Sequence, residues 1–246
     1  MNHKDEKKKK SYGEISRRDF MKYTGTIIFV MGSGCYLYAE ESPGKLSKIG
    51  VKGAGIPPSQ GYLIVDTRKC QGCMSCMLAC TLVHEGVENP SLSRIQIIQN
   101  PFESFPNDVN IEQCRQCVDP ACVQACPNNA LVVNADYGNV RMVDKSKCTG
   151  CGDCIEACPY TPSRPVVTAD ENFNNEKKSR KCDLCAVTPY HWDKGGGGPN
   201  GKQACVEVCP VGAIKFTKEI PIQEGDEGYK VNLRGRAWRQ LGYSRK

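Results

Sequence analysis

The sequence predicts an α+β fold of two small units, one inserted into the other, and three observations predict it. Sixteen of the seventeen cysteines fall into four groups of four. The groups alternate between two patterns, as a duplicated unit would. Short β-prone runs flank them, pairing the second group with the third and the first with the fourth.

The groups read Cys70-x2-Cys73-x2-Cys76-x3-Cys80, then Cys114-x2-Cys117-x4-Cys122-x3-Cys126-Pro127. Cys148-x2-Cys151-x2-Cys154-x3-Cys158-Pro159 comes next, and Cys182-x2-Cys185 is completed after a long insert by Cys205-x3-Cys209-Pro210. Three thiolates on one tight turn with a fourth from elsewhere hold a cubane [4Fe–4S] cluster, written C-x2-C-x2-C-x3-C-P in bacterial ferredoxins. Four groups predict four clusters, and a chain this size with four clusters has electron transfer as its main business. Disulfides fit poorly, since three cysteines within seven residues leave little room for relaxed bridges. Structural zinc uses paired C-x2-C knuckles and does not call for the third and fourth cysteines.

The internal repeat orders the chain. Val65-Asp66-x-x-Lys69-Cys70-x-Gly72-Cys73 recurs as Val143-Asp144-x-x-Lys147-Cys148-x-Gly150-Cys151. Ala121-Cys122-Val123-x-x-Cys126-Pro127 recurs as Ala204-Cys205-Val206-x-x-Cys209-Pro210. Glycine between the first two cysteines lets backbone approach the cluster closely. Proline after the last one turns the chain out of its short helix. Leu131-Val132-Val133 and Val140-Arg141-Met142-Val143, joined through Asp136-Tyr137-Gly138-Asn139, read as a hairpin. The second and third groups are therefore neighbours in an inner ferredoxin-like unit, 105–177. The outer unit, 61–104 and 178–217, is closed by laying Tyr62-Leu63-Ile64-Val65 beside Ala213-Ile214-Lys215-Phe216-Thr217.

In two-cluster ferredoxins the fourth cysteine of one motif ligates the other cluster. Here one inner cluster would take Cys148, Cys151, Cys154 and Cys126, and its neighbour Cys114, Cys117, Cys122 and Cys158. One outer cluster would take Cys70, Cys73, Cys76 and Cys209, the other Cys182, Cys185, Cys205 and Cys80. Thr81 stands where the other groups have proline, which leaves Cys80 the least secure ligand.

Residues 1–39 read as an export signal and 40–60 as a linker. Lysines at 4 and 7–10 precede Ser16-Arg17-Arg18-Asp19-Phe20-Met21-Lys22, a twin-arginine string, and then a modest apolar stretch from Tyr23 to Ala39. That stretch holds Gly25, Gly32 and Gly34 and falls short of about 20 strongly apolar residues needed to span a bilayer. Folded export suits a protein whose clusters are inserted before transport. The expected location is the periplasm or the outer face of the cytoplasmic membrane, with no transmembrane helix in the mature chain. Cys35, the odd cysteine, is read as part of the signal.

The formal charge of +6 is mostly that signal. The rest of the chain holds 25 Lys and Arg against 23 Asp and Glu, and no block of interleaved arginines and aromatics suggests nucleic acid. Gly196-x4-Gly201-Lys202 superficially matches a phosphate loop, but Gln203 replaces the Ser/Thr and the segment lies inside a cysteine insert. It reads instead as a flexible loop covering a cluster or meeting a partner. His84 and His191 are isolated histidines of structural or exposed type. No acid–base pair, nucleophile or small-molecule pocket stands out, so no catalytic activity of its own is expected. Residues 218–246 read as a surface arm wrapping a partner or a loose terminus.

With its twin-arginine string, its four cysteine groups in this order and Lys181-Cys182-Asp183-x-Cys185…Ala204-Cys205-Val206-Glu207-x-Cys209-Pro210, the chain resembles the dimethyl sulfoxide reductase iron–sulfur subunit family over about residues 60–217. That family includes the electron-transfer subunits of nitrate, polysulfide, tetrathionate and arsenate reductases and the periplasmic nitrite-reduction ferredoxin. The resemblance implies a subunit passing electrons between a molybdenum- or tungsten-pterin catalytic subunit and a membrane quinone-reacting subunit or cytochrome. Some relatives replace one ligand of the third group and hold a three-iron cluster; here all sixteen positions are cysteine. Cys76-Met77-Leu78-Ala79-Cys80-Thr81-Leu82-Val83-His84-Glu85-Gly86 with Ser93-Arg94-Ile95 also looks like subunits accompanying cytoplasmic tungsten aldehyde oxidoreductases or carbon monoxide dehydrogenase. The alternative to a permanent subunit is an independent periplasmic polyferredoxin shuttling electrons from a membrane quinol-oxidising subunit to a separate reductase.

Overall fold

The computed structural model describes residues 55–190 and 197–236, with the backbone of three earlier strands. Those strands, Ile28–Met31 (β1), Gly34–Glu40 (β2) and Leu46–Gly50 (β3), form an antiparallel meander within a unit of their own, Met1–Gly55. The twin-arginine string lies outside the described residues, as do His191, Gly196, Trp238 and Tyr243.

The second unit, Ile56–Lys246, is built from two-stranded ribbons. Tyr62–Val65 (β4) is an aromatic and aliphatic run that buries Tyr62, Leu63 and Val65. It pairs antiparallel with Ile214–Thr217 (β11), Val65 opposite Ile214 and Tyr62 opposite Thr217. Leu131–Asn134 (β7) and Val140–Val143 (β8) form the hairpin read from the sequence. Its turn is an Asx device: the Asn134 side chain accepts from the Asp136 N–H, and Gly138 and Asn139 take positive φ.

Two further hairpins were not legible. Ile95–Gln99 (β5) pairs with Val109–Gln113 (β6), and Val166–Asp170 (β9) with Glu176–Arg180 (β10). Strand β10 reads Glu-Lys-Lys-Ser-Arg, which resembles a loop by composition, yet Lys178, Ser179 and Arg180 are buried. Its turn repeats the Asx device, with Asp170 accepting from Asn172 N–H and Asn174 and Asn175 at positive φ. Both hairpins run across the expected unit boundaries at 104/105 and 177/178.

The helices are short and carry sulfur. Ser75–Glu85 (α1) spans three turns and ends at Gly86, whose φ of 72° closes it. Cys76 and Cys80 stand four apart and share its buried face. Ala121–Gln124 (α2), Asp153–Glu156 (α3) and Ala204–Glu207 (α4) are single turns, each bearing one cysteine. Helix α1 packs on α4, and α2 on α3. One core of Leu63, Val65, Met77, Ile95, Ile97, Ile111, Val140, Met142, Leu184 and Ile214 takes in Cys76, Cys80 and Cys205. An isolated two-stranded ribbon is marginal in water, so apolar and sulfur packing between ribbons must hold them.

The C-terminal segment is not a free arm where it is described, up to residue 236. Tyr229 is fully buried, and its hydroxyl donates to the Arg115 carbonyl at 2.7 Å. Val65 N–H donates to Tyr229 O, and Val231 N–H to Val65 O, both at 2.8 Å, so the tail adds a short parallel bridge beside β4. Leu233 N–H and the Arg234 guanidinium reach Asp66 Oδ2 at 2.8 and 3.2 Å. The buried phenol, with the Arg115 guanidinium 4.3 Å from its ring centroid, explains why this polar stretch docks on its own body. Tyr229→Ala is expected to cost about 3–5 kcal/mol, as other large aromatic truncations do. Tyr229→Phe should cost about 1 kcal/mol for the lost hydrogen bond. Urea midpoints for the two variants check this.

Candidate metal centres

All four Cys-x-x-Cys turns share one backbone device. The residue before the second cysteine is left-handed in each: Gly72, Gln116, Gly150 and Leu184, at φ 66°, 47°, 70° and 56°. Two are glycines, as the repeat indicated. The other two carry side chains in a conformation costing about 1–2 kcal/mol, and no sequence signal pointed to them. Burial holds them: Gln116 and Leu184 are both fully enclosed. Gln116 also donates to the Cys182 carbonyl at 2.7 Å and accepts from Arg141 N–H at 2.8 Å. Gly150 has a further reason to be glycine. A Cβ there would stand 2.3 Å from the Lys177 carbonyl oxygen, so it is β10 that approaches closely.

Three cavities of similar size are lined by four cysteines apiece. The first, about 350 Å³ with its mouth, is lined by Cys148, Cys151, Cys154 and Cys126. The second, about 340 Å³, is lined by Cys114, Cys117, Cys122 and Cys158. The third, about 320 Å³, is lined by Cys70, Cys73, Cys76 and Cys209. Each takes three sulfurs from one group and one from another. Of the remaining four, Cys205 lies within electrostatic reach of Cys185, Cys182 and Cys80, and also of Cys76 from the third cavity. None of the sixteen is in a disulfide.

The surroundings suit anionic sulfur. Backbone N–H groups point at six of the sulfurs: Arg94 to Cys80, Gln116 to Cys114, Leu131 to Cys126, Arg164 to Cys158, Ser179 to Cys148 and Ala213 to Cys209. The distances run from 3.2 to 3.5 Å. Every one of the four sets receives at least one such donor. Amide hydrogen bonds to thiolate stabilise the charged form and tune a cluster's potential. In the bare protein, burial pushes the Cys76 and Cys122 thiols up to about 12, with neighbouring sulfurs adding to the rise. Cys182 and Cys205 are driven well up by the same causes. Thiolates so crowded need positive charge between them, which the irons of a cubane supply.

Cations the sequence analysis did not single out complete the electrostatics. Arg115 and Arg141 are almost completely buried, as is Lys181. Lys181 Nζ donates to the Arg141 carbonyl at 2.8 Å, and its charge lies within electrostatic reach of Cys114 and Cys122. Arg141 donates to the carbonyls of Cys117, Asn139 and Val118. A buried charge without a partner is costly, so Lys181 and Arg141, which no carboxylate pairs among the described residues, call for an anion in the sulfur-lined cavity. A cubane with four thiolates is one, and the residues fit it.

His84 is structural, as isolated histidines usually are. Its Nδ1 meets the Cys80 carbonyl at 2.8 Å and its Nε2 meets Asp183 Oδ1 at 2.9 Å. With acceptors on both sides the ring must donate from both nitrogens and is held as imidazolium. Arg94 Nη1 binds the other Asp183 oxygen at 2.9 Å. The insert ahead of Cys205 is packed where it is described. Gly197 lies against the Cys185 carbonyl, and Gln203 donates to the Gly198 and Gly201 carbonyls. Its side chain holds a turn and not a phosphate. No helix among the described residues is long and apolar enough to cross a membrane.

Two family descriptions match the chain, both 4Fe–4S dicluster domains, over residues 62–127 and 107–219. The Protein NrfC homolog of Haemophilus influenzae is 31% identical over 208 residues, 82% of this chain and 79% of its own length. The polyferredoxin-like subunit of the aliphatic sulfonate oxidoreductase of Pyrococcus furiosus is 37% identical over 150 residues, 60% of this chain and 70% of its own. Electron transport protein HydN of Escherichia coli is 33% identical over 171 residues, 62% and 85% of the two chains. Sulfur-lined cavities, amide donors on sulfur and matches that together cover residues 62–219 agree, and the chain belongs to the 4Fe–4S dicluster domain family.

Proposed function

We propose that this chain is a non-catalytic electron-transfer subunit carrying four [4Fe–4S] clusters. It would connect a molybdenum- or tungsten-pterin catalytic subunit with a quinone- or cytochrome-linked partner on the outer side of the cytoplasmic membrane. The observation that carries this reading is the set of three cavities of similar size, each lined by four cysteines of which one comes from a different group. The proposed ligand sets are Cys70, Cys73, Cys76 and Cys209; Cys182, Cys185, Cys205 and Cys80; Cys114, Cys117, Cys122 and Cys158; and Cys148, Cys151, Cys154 and Cys126.

When bound, each cluster supplies one-electron carriage without bond making. The protein's part is to fix and insulate. Left-handed turns aim the first two sulfurs of each group inward, and amides hold the crossed sulfur. The packing of α1 on α4 and of α2 on α3, with the pairing of β4 and β11, supports the nested arrangement of an outer and an inner unit. The twin-arginine string supports export.

Mild anaerobic purification with metal analysis tests the proposal. The expected result is about sixteen irons and as much acid-labile sulfide per chain, in a stoichiometric complex containing molybdenum or tungsten. Serine at Cys151, Cys117 or Cys73 should each remove or alter one centre and leave the others. Iron alone in a lone chain would favour the second reading, a free carrier, which the match to the electron transport protein supports. A colourless protein without sulfide would end both.

A further inference from the structure

The cavity of Cys114, Cys117, Cys122 and Cys158 is unlike the other two in charge. Arg115, Arg141, Arg164 and Lys181 line it, with no carboxylate. No charged side chain lines the Cys148 cavity or the Cys70 cavity. Near the fourth set, the cations His84 and Arg94 face two carboxylates, both binding Asp183 and Arg94 also reaching Glu85.

Two of the four cations are neutralised. Asp226 binds Arg115, and Glu112 binds Arg164. The other two are not. Lys181 and Arg141 make their hydrogen bonds to carbonyls, and among the described residues neither is paired with a carboxylate. Lys181 is 3% exposed and Arg141 is 0% exposed, so water and salt screen neither. Lys181 also sits at a junction. It precedes Cys182, its ammonium holds the Arg141 carbonyl within electrostatic reach of Cys114, and Gln116 of the Cys114 turn holds the Cys182 carbonyl.

We propose that Lys181 and Arg141 make the centre at Cys114, Cys117, Cys122 and Cys158 the one of highest reduction potential. It is where the first electron entering the chain rests. The inference rests on the ligand sets proposed above. Reduction adds one negative charge to a centre, taken from a one-electron donor, with no bond formed or broken. Uncompensated positive charge in a poorly polarisable interior favours that added charge more strongly than amide dipoles alone. The neutral linings of the other two cavities offer only dipoles. Because Lys181 joins this turn to that of Cys182, the electron well lies at the contact between the two proposed units and not at an end of the wire.

Anaerobic potentiometric titration of the full chain with dithionite, followed by electron paramagnetic resonance, tests this. Lys181→Met should lower the reduced-to-oxidised ratio of the first-reduced centre about tenfold at fixed potential, a shift of ~59 mV for one electron. The later steps should hardly move, and Lys181→Arg should restore the first. An unchanged first step in a fully loaded Lys181→Met protein overturns the inference, as does a shift confined to a later step. Should that variant lose iron, Cys117→Ser reads the same assignment, because replacing sulfur by oxygen displaces one centre alone. Movement of the first step upholds the inference, and movement of a later step overturns it. Iron per chain is measured on the same samples. Fewer than about sixteen irons in the wild type would instead count against the four-cluster reading.

Discussion

Asp183→Ala is expected to lower the stability of the protein by about 3–5 kcal/mol, a large share of the 5–15 kcal/mol typical of a domain. Asp183 is 3% exposed and holds four donors. His84 Nε2 and Arg94 Nη1 bind its two oxygens at 2.9 Å, and the amides of Cys185 and Val187 reach it at 3.1 and 3.3 Å. Burial by itself would raise its pKa, but Arg94 and His84 outweigh burial and hold the carboxyl well below its usual range. Without that carboxylate the buried His84 imidazolium loses its anionic partner, and Arg94 keeps only the longer contact to Glu85 at 3.4 Å. Arg94 is also the residue whose N–H reaches the Cys80 sulfur, and Asp183 shapes the Cys182 turn. The loss should therefore fall on the set of Cys80, Cys182, Cys185 and Cys205. A lower urea midpoint together with loss of about a quarter of the iron is the expected signature. Asp183→Asn, which keeps hydrogen bonding but not charge, should fall between. An Asp183→Ala protein with full iron and an unchanged midpoint would show that the network contributes nothing to holding that centre.

Gly150→Ala should be nearly as damaging and act on a different centre. At φ 70° an alanine costs about 1–2 kcal/mol in backbone strain. Its methyl would also stand 2.3 Å from the Lys177 carbonyl oxygen and 2.8 Å from the carbonyl carbon, which cannot yield without moving β10. Displacing β10 withdraws the Ser179 amide from the Cys148 sulfur and the Lys178 ammonium from the Cys148 carbonyl. The matching change at Gly72 gives the contrast. Its nearest obstacle, also at 2.3 Å, is the end of the Gln99 side chain, which can swing away. Gly72→Ala should cost little more than the strain, and Gly150→Ala at least about 2 kcal/mol with overpacking added. Equal urea midpoints and equal iron for the two variants would refute this account.

Much of the candidate site was legible because cluster chemistry leaves local marks. Cysteine spacing, the proline after the last sulfur and the glycine of the Cys-x-Gly-Cys turns are short-range patterns. The β7–β8 hairpin was readable from its two short β-prone runs and the Asp-Tyr-Gly-Asn turn between them. The β4–β11 pairing followed by elimination once the hairpin had joined the second and third groups, although 148 residues separate Val65 from Ala213.

What was not legible depends on partners far along the chain. Strand β10 has the composition of a loop and is a strand because Ser179 and Lys178 meet Cys148 and Arg180 meets Asp170. Gln116 and Leu184 take a conformation that their own side chains disfavour because full burial outweighs the strain. The tail docks through one phenol and a backbone bridge to β4.

The sequence by itself determined the kind of cofactor, the count of candidate ligands and the duplicated order of their groups, because a cubane needs sulfurs at fixed short spacings. Only the tertiary structure decided which charges surround each set. Lys181 and Arg141 are ordinary basic residues in sequence, and become significant when the fold buries both beside Cys114 without a carboxylate. Electrostatic energy depends on distance and on the dielectric around a charge, and neither is written in the order of residues.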